Sequence, residues 1–304
     1  MKRMKRSDRG RSRKMGHESQ TEWGWSIAIE IFCGGTAGGA YILSALPYLI
    51  FGSTIFLTGV VASLFLVCIS VFVLIAESTS LRRVPRAFSN IKSPLTVGAI
   101  SLSLFILFST ATVAIPHKGS ATGALSIVVW LAVAASLLTI IYPGILMSFM
   151  KGIPLWGGSG PSFLLLSAAL LSGSAVVTLA GGMGRLNFSL SQVTLWGLVI
   201  YGFFLFIFIV TGGRSSKTAR ISVQWLIKGN LFLLFMIGVI AMGWVVPFTL
   251  YIVGMVSSSP PLLHIGSCLI LIGGILMRYS LMAAAVRIPL LSEDSITPTY
   301  WRYH

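Results

Sequence analysis

Hydrophobic residues fall in long blocks along the chain, each about the 20 residues a helix needs to cross a bilayer, with short polar connections between them. The blocks predict helices near 25–51, 55–77, 95–116, 124–149, 161–181, 193–211, 230–254 and 262–286. Eight spans return the chain to the side from which it started, so both termini share one face of the membrane. The short connections leave little chain for a soluble domain, and any large aqueous chemistry must come from other subunits. The pattern defines an all-α integral membrane protein.

Composition supports this. Hydrophobic residues make up 55% of the 304 and charged residues 10%, with mean hydropathy +0.90, against about 25% charged in an average soluble protein. The net charge of +15 and pI near 10.3 reflect topology signals in a chain with few acids. There is no folded basic module with interleaved aromatics, so no nucleic-acid partner is expected.

The placement of Lys and Arg assigns the sides. Eight precede Trp23, and Arg82, Arg83, Arg86, Lys92, Lys151, Arg214, Lys217, Arg220, Lys228, Arg287 and Arg302 fall on the same face. Only Lys118 and Arg185 fall on the other, while Arg278 lies inside the last span. By the positive-inside rule both termini are expected in the cytoplasm. Residues 1–22 then form a basic cytoplasmic tail that touches anionic membrane lipid, and 288–304 a C-terminal tail. The leader passes through the polar stretch His17 to Glu22 into a full-length span, so no cleavable signal peptide is expected.

Against this apolar background Glu30 stands out. It lies inside the first span, where a carboxylate is expensive and normally faces a bundle interior or wet cavity. Helix rise puts it ~10 Å from Trp23, with Tyr142 ~13 Å from Lys151 and Arg278 ~13 Å from Arg287, all at a similar depth on the basic side. Glu77 closes the second span just above them. Tyr142 precedes Pro143-Gly144, and proline removes an amide one turn after an acceptor, which kinks the helix and opens space beside the phenol. The alternative for Glu30 is structural pairing with Arg278 or a neighbouring hydroxyl. Gly34, Gly35, Gly38 and Gly39 give overlapping GxxxG pairs, whose first meaning is close helix packing.

Other chemistries are poorly served. Cys33, Cys68 and Cys268 are scattered singly through different spans, so no Fe–S cluster is expected in this subunit. His117 and His264 flank the third and eighth spans at the far side, an arrangement better suited to interface histidines than to haem ligands, and no haem is expected. Walker, dinucleotide-binding and nucleophile-elbow patterns are absent. Gly181-Gly-Met-Gly184 lacks the following Lys-Ser/Thr of a phosphate loop and is expected to stop a helix.

Several pieces occur in order: Trp23-x-Trp25 leading to Gly34-Gly-x-Ala-Gly-Gly39, Ala76-Glu77-Ser78, Pro85-Arg86-x-Phe88 and Ser93-Pro94-Leu-Thr-x-Gly98. Tyr142-Pro143-Gly144, Ile153-Pro154-Leu155-Trp156, and Ser167-Ala168 to Ser172-Gly173 follow. No single piece is specific, but the ordered series resembles the NrfD/PsrC family of quinone-reacting membrane subunits across nearly the whole chain. The resemblance implies eight transmembrane helices arranged as two four-helix bundles, 23–152 binding quinone and 153–287 forming the second. It implies menaquinone or a related quinone, a four-cluster ferredoxin-like Fe–S subunit docked above the pocket, and a molybdopterin oxidoreductase catalytic subunit. Carried onto this sequence, Glu30 takes the position of a polar quinone ligand and Tyr142 that of the tyrosine on the other side of the head group. Glu77 becomes an acid for proton delivery or release. Ile27 stands where some members carry a second polar ligand.

The resemblance puts the pocket and its Fe–S partner on the N-terminal side, which the charge count assigns to the cytoplasm of a prokaryotic cell. Two other function classes compete. A proton-coupled secondary transporter would use Glu30 and Glu77 as ion sites, although no inverted repeat is evident. A structural anchor would tether catalytic subunits without quinone chemistry, in keeping with Ile27.

Overall fold

The computed structural model describes residues 24–51, 57–77, 94–115, 123–181 and 188–287. Among them the fold is all-α. Helices α1 (Trp25–Phe51), α2 (Leu57–Glu77), α3 (Pro94–Ala114), α4 (Ala124–Ser148), α5 (Gly160–Ala180) and α6 (Phe188–Ser215) come first. A short amphipathic α7 (Lys217–Ile227) follows, then a segment of π geometry (Leu234–Val245) that runs directly into α8 (Val246–Val256), and finally α9 (Pro260–Ala283). Eight membrane-length apolar spans result, one of them being the π segment together with α8. Their outer faces carry large exposed apolar side chains such as Phe65, Phe72, Trp196 and Phe206, which a bilayer covers at no cost.

The span boundaries match those predicted to within a few residues, except that α6 is longer at both ends. The connection after it is not plain loop. Ser216 caps α7 by accepting a hydrogen bond from the Ala219 amide at 3.0 Å, filling one of the orphan donors of a helix start. Ala219, Ser222, Val223 and Leu226 face inward while Lys217, Arg220 and Gln224 are exposed. This one-sided pattern suits a helix lying at the membrane surface. The Val286 amide donates to Ser222 Oγ at 3.2 Å, tying α7 to the exit of α9.

α1 is the organising helix, packed against α2 and α4 on one side and α5 and α9 on the other. Its glycines make that possible, each admitting a different neighbour. A Cβ on Gly39 would collide with the Ala169 backbone of α5, and one on Gly173 with the backbone of Gly39. Gly38 admits Ile140 and the Ser136 carbonyl of α4, where an added Cβ would come within 2.8 and 3.0 Å. Packing, the first meaning of the GxxxG pattern, is what these residues do. Thr36 and Ser172 share a hydrogen bond of 2.8 Å beside the α1–α5 contact.

The motif Ile153-Pro154-Leu155-Trp156 folds into a 3-10 turn over Pro154–Trp156. It buries Trp156, whose indole Nε1 donates to the Leu281 carbonyl at 3.1 Å and so fastens the α4–α5 connection to α9. On the same side Trp25 stacks on Tyr279, with ring centroids 3.8 Å apart and planes 9° from parallel. α5 ends at Ala180 with Gly181 as its cap, so the helix-stop expectation for Gly181 holds; 182–184 lie outside the described residues.

Candidate functional site

Glu30 is a turn and a half into α1, on the face turned toward α2 and α4, and is almost fully buried. The equally buried Tyr142 of α4 donates its phenol hydrogen to Glu30 Oε1. Similar depth in two separate helices thus becomes direct contact. The ring of Tyr142 lies on Gly98 of α3, where an added Cβ would come within 2.7 Å of two ring carbons. Gly98 is therefore the floor on which the phenol rests.

A second hydroxyl completes the arrangement. Ser70 Oγ of α2 donates to the Glu30 main-chain carbonyl at 3.0 Å and lies 3.5 Å from Oε1. Gly34, one turn beyond Glu30, leaves room for it: a Cβ there would stand 3.0 Å from Ser70 Oγ. Neither Ser70 nor the contact role of Gly98 is apparent from the sequence. The signal that could have pointed to Ser70 is a hydroxyl seven residues, or ~10 Å, before Glu77 on the same helix, which puts it near the depth of Glu30.

Of the two structural partners expected for Glu30, Arg278 or a neighbouring hydroxyl, the structure shows hydroxyls, those of Tyr142 and Ser70. Arg278 is buried, donates from Nη1 to the Gly274 carbonyl at 3.0 Å and lies over the Phe32 ring, 5.2 Å from its centroid. Its Nη2 occupies space left by Gly35, where an added Cβ would come within 3.2 Å. A carbonyl and a π face thus share the cost of burying the cation.

Other expected residues are placed as follows. α4 runs without interruption through Pro143, and Gly144 admits Ser162 at the start of α5, an added Cβ coming within 2.6 Å of it. Glu77 is the last residue of α2, and its side chain lies outside the described residues. Ile27 packs against the larger apolar cluster of the core. Cys33 is buried, Cys68 and Cys268 are exposed, and all three are free. His264 is held by its Nδ1 against the Pro260 carbonyl at 2.7 Å, while His117 lies outside the described residues. Among the described residues no three of His, Cys, Asp and Glu gather as a metal site.

The arrangement is a carboxyl and a phenol held together away from water, among the eight membrane-length apolar spans of the described residues, with a serine bonded to the main chain at the carboxyl. Such a pair can donate hydrogen bonds to an oxygen acceptor and exchange a proton with it. Residues 13–289 match the family model described as polysulphide reductase, NrfD. The chain belongs to the NrfD family, whose members are membrane subunits of oxidoreductase complexes that usually include Fe–S and molybdopterin subunits. No curated protein matches the chain in sequence.

Proposed function

We propose that this chain is the quinone-reacting membrane subunit of a molybdopterin and Fe–S oxidoreductase, and that Glu30 and Tyr142 form its quinone site. The observation that carries the proposal is the buried hydrogen bond from Tyr142 to Glu30, which joins α1 to α4. The residues fit the group. A quinone head group has carbonyl oxygens that accept from a carboxylic acid or a phenol, and a quinol has hydroxyls that donate to a carboxylate. Menaquinone or a related quinone supplies two-electron, two-proton chemistry when bound.

The protein's part is to hold the head group and handle protons. Tyr142 donates its one phenol hydrogen to Glu30 and turns it to a head-group oxygen when a quinone enters, with Gly98 leaving room for the ring. Glu30 receives or releases a proton at its carboxyl, and Ser70 holds the main chain beneath it and offers its hydroxyl to Oε1 at 3.5 Å. Glu77, at the end of the same helix as Ser70, carries that proton toward the aqueous face. Apolar packing of Ile27 leaves the head group dependent on Glu30 and Tyr142.

In this reading the first four helices, 23–152, form a quinone-binding bundle, and 153–287 a second one. The ferredoxin-like and molybdopterin subunits dock on the N-terminal face. That face is cytoplasmic, in a prokaryotic cell membrane, by the excess of Lys and Arg there.

The test is electron exchange between the purified complex and a quinol analogue. Glu30→Gln and Tyr142→Phe should each lower turnover by roughly tenfold to a hundredfold, the range for losing a hydrogen bond to a charged group, while the subunits still assemble. Unchanged turnover in both variants removes the site assignment and leaves the anchor. Uptake of a labelled solute by the isolated chain in liposomes would instead support a transporter.

A further inference from the structure

A groove of about 390 Å³ lies between α5 and α6 near the basic face, and neither Glu30 nor Tyr142 lines it. Its floor is aromatic and aliphatic, with Phe163, Phe204, Ile207 and Phe208, and Gly157–Gly160 together with Thr211, Gly212 and Ser215 complete its lining. Phe163 and Phe204 stack with centroids 5.4 Å apart and planes 8° from parallel. Phe163 is 46% exposed, and Phe203 and Phe206 beside it are exposed at 59% and 66%. In a bilayer these surfaces meet acyl chains, so the floor continues the lipid-facing wall.

The rim has the opposite character. Lys151, Arg214, Lys217 and Arg220 are all exposed, on the segments that adjoin the lining residues Pro154–Gly160 and Thr211–Ser215 in sequence. Arg220 Nε donates to the Gly213 carbonyl at 3.2 Å, which holds the guanidinium against the turn whose Gly212 and Ser215 line the groove. Among the described residues the acids are Glu30 and Glu77, on α1 and α2, so none neutralises this rim. Phe204 precedes Arg214 by ten residues, ~15 Å of helix. The floor therefore descends into hydrocarbon while the cations stay at head-group level.

We propose that this groove holds one anionic phospholipid, with an acyl chain on the Phe163–Phe204 floor and its phosphate at the Arg214, Lys217 and Arg220 rim. A soluble partner cannot reach a floor at that depth, and a zwitterionic lipid gains little from the rim. Three cations at one head group favour an anionic lipid by about a hundredfold. The lipid wedges between α5 and α6, beside the start of the amphipathic α7, and fixes the second half of the protein in the membrane plane.

The experiment uses the chain as purified from its own membrane with whatever subunits accompany it. It is exchanged into phosphatidylcholine nanodiscs with or without phosphatidylglycerol, and retained lipid is measured by native mass spectrometry. One phosphatidylglycerol should remain bound through detergent washing. Combined Arg214→Gln, Lys217→Gln and Arg220→Gln should weaken its retention about a hundredfold. Thr211→Trp, which fills the groove without changing charge, should abolish it. Equal retention of phosphatidylcholine and phosphatidylglycerol overturns the proposal, as does undiminished retention in Thr211→Trp. A photo-crosslink from position 215 to a partner protein instead of lipid overturns it as well.

Discussion

Glu30 and Tyr142 act as one hydrogen-bonded unit, and its geometry depends on an atom that is missing. Gly98 has no Cβ, and the Tyr142 ring fills that space. Gly98→Ala should push the ring off its seat and separate the phenol from the carboxyl. Turnover with a quinol analogue should then fall roughly as far as in Tyr142→Phe, tenfold or more, with the subunits still assembled; wild-type turnover would show that the ring does not need this seat. Glu30 could be found from sequence because a carboxylate in an apolar span is costly and so conspicuous. Ser70 and Gly98 could not, since a serine or glycine in a membrane helix carries no such penalty and gains meaning only from its neighbour. Arg278 is equally conspicuous, but its partners, the Gly274 carbonyl and the Phe32 ring, are a main-chain group and an apolar side chain that nothing in the sequence marks out.

At two seams of this protein helices meet backbone to backbone. The meeting of Gly39 with Ala169 and Gly173 brings α1 and α5 together, and Gly243 with Gly273 does the same for the π segment and α9, where an added Cβ on Gly243 would come within 2.8 Å of Gly273. Close approach gains dispersion contacts that lipid cannot match. Gly39→Leu should therefore lower the stability of the detergent-solubilised protein by about 1–3 kcal/mol or more, the cost of overpacking against rigid backbone. A thermal melt monitored by near-UV circular dichroism checks this, and an unchanged midpoint would refute the seam. The GxxxG spacing announced that α1 packs tightly, although not that its glycines face four different helices. α7 escaped the hydropathy pattern because an 11-residue surface helix mixes Lys and Arg with apolar residues and fills no membrane-length window. The π geometry of Leu234–Val245 left no mark on composition, which is as apolar there as in the other spans.

At the scale of the whole molecule, the excess of Lys and Arg on one face predicts the orientation. A green fluorescent protein fused to the C-terminus should fluoresce, and in intact cells a membrane-impermeant thiol reagent should label Lys118→Cys but not Lys217→Cys, each made in a chain whose native cysteines are serines. The reverse labelling would place the basic face, and with it the proposed docking face, outside.

Hydropathy alone determined the eight spans, and charge placement gave their expected direction, because the exclusion of polar groups from hydrocarbon acts on each segment independently of its neighbours. The ordered motifs pointed to the NrfD family, which the family match establishes. Tertiary structure decided which polar groups meet. Depth along separate helices put Glu30, Tyr142 and Arg278 at one level, yet only the order and rotation of the helices could bring Tyr142 and Ser70 to the carboxyl and leave Arg278 on Phe32. Those rotations are set by glycines and side chains packing across helices distant in sequence, and no single span contains that information.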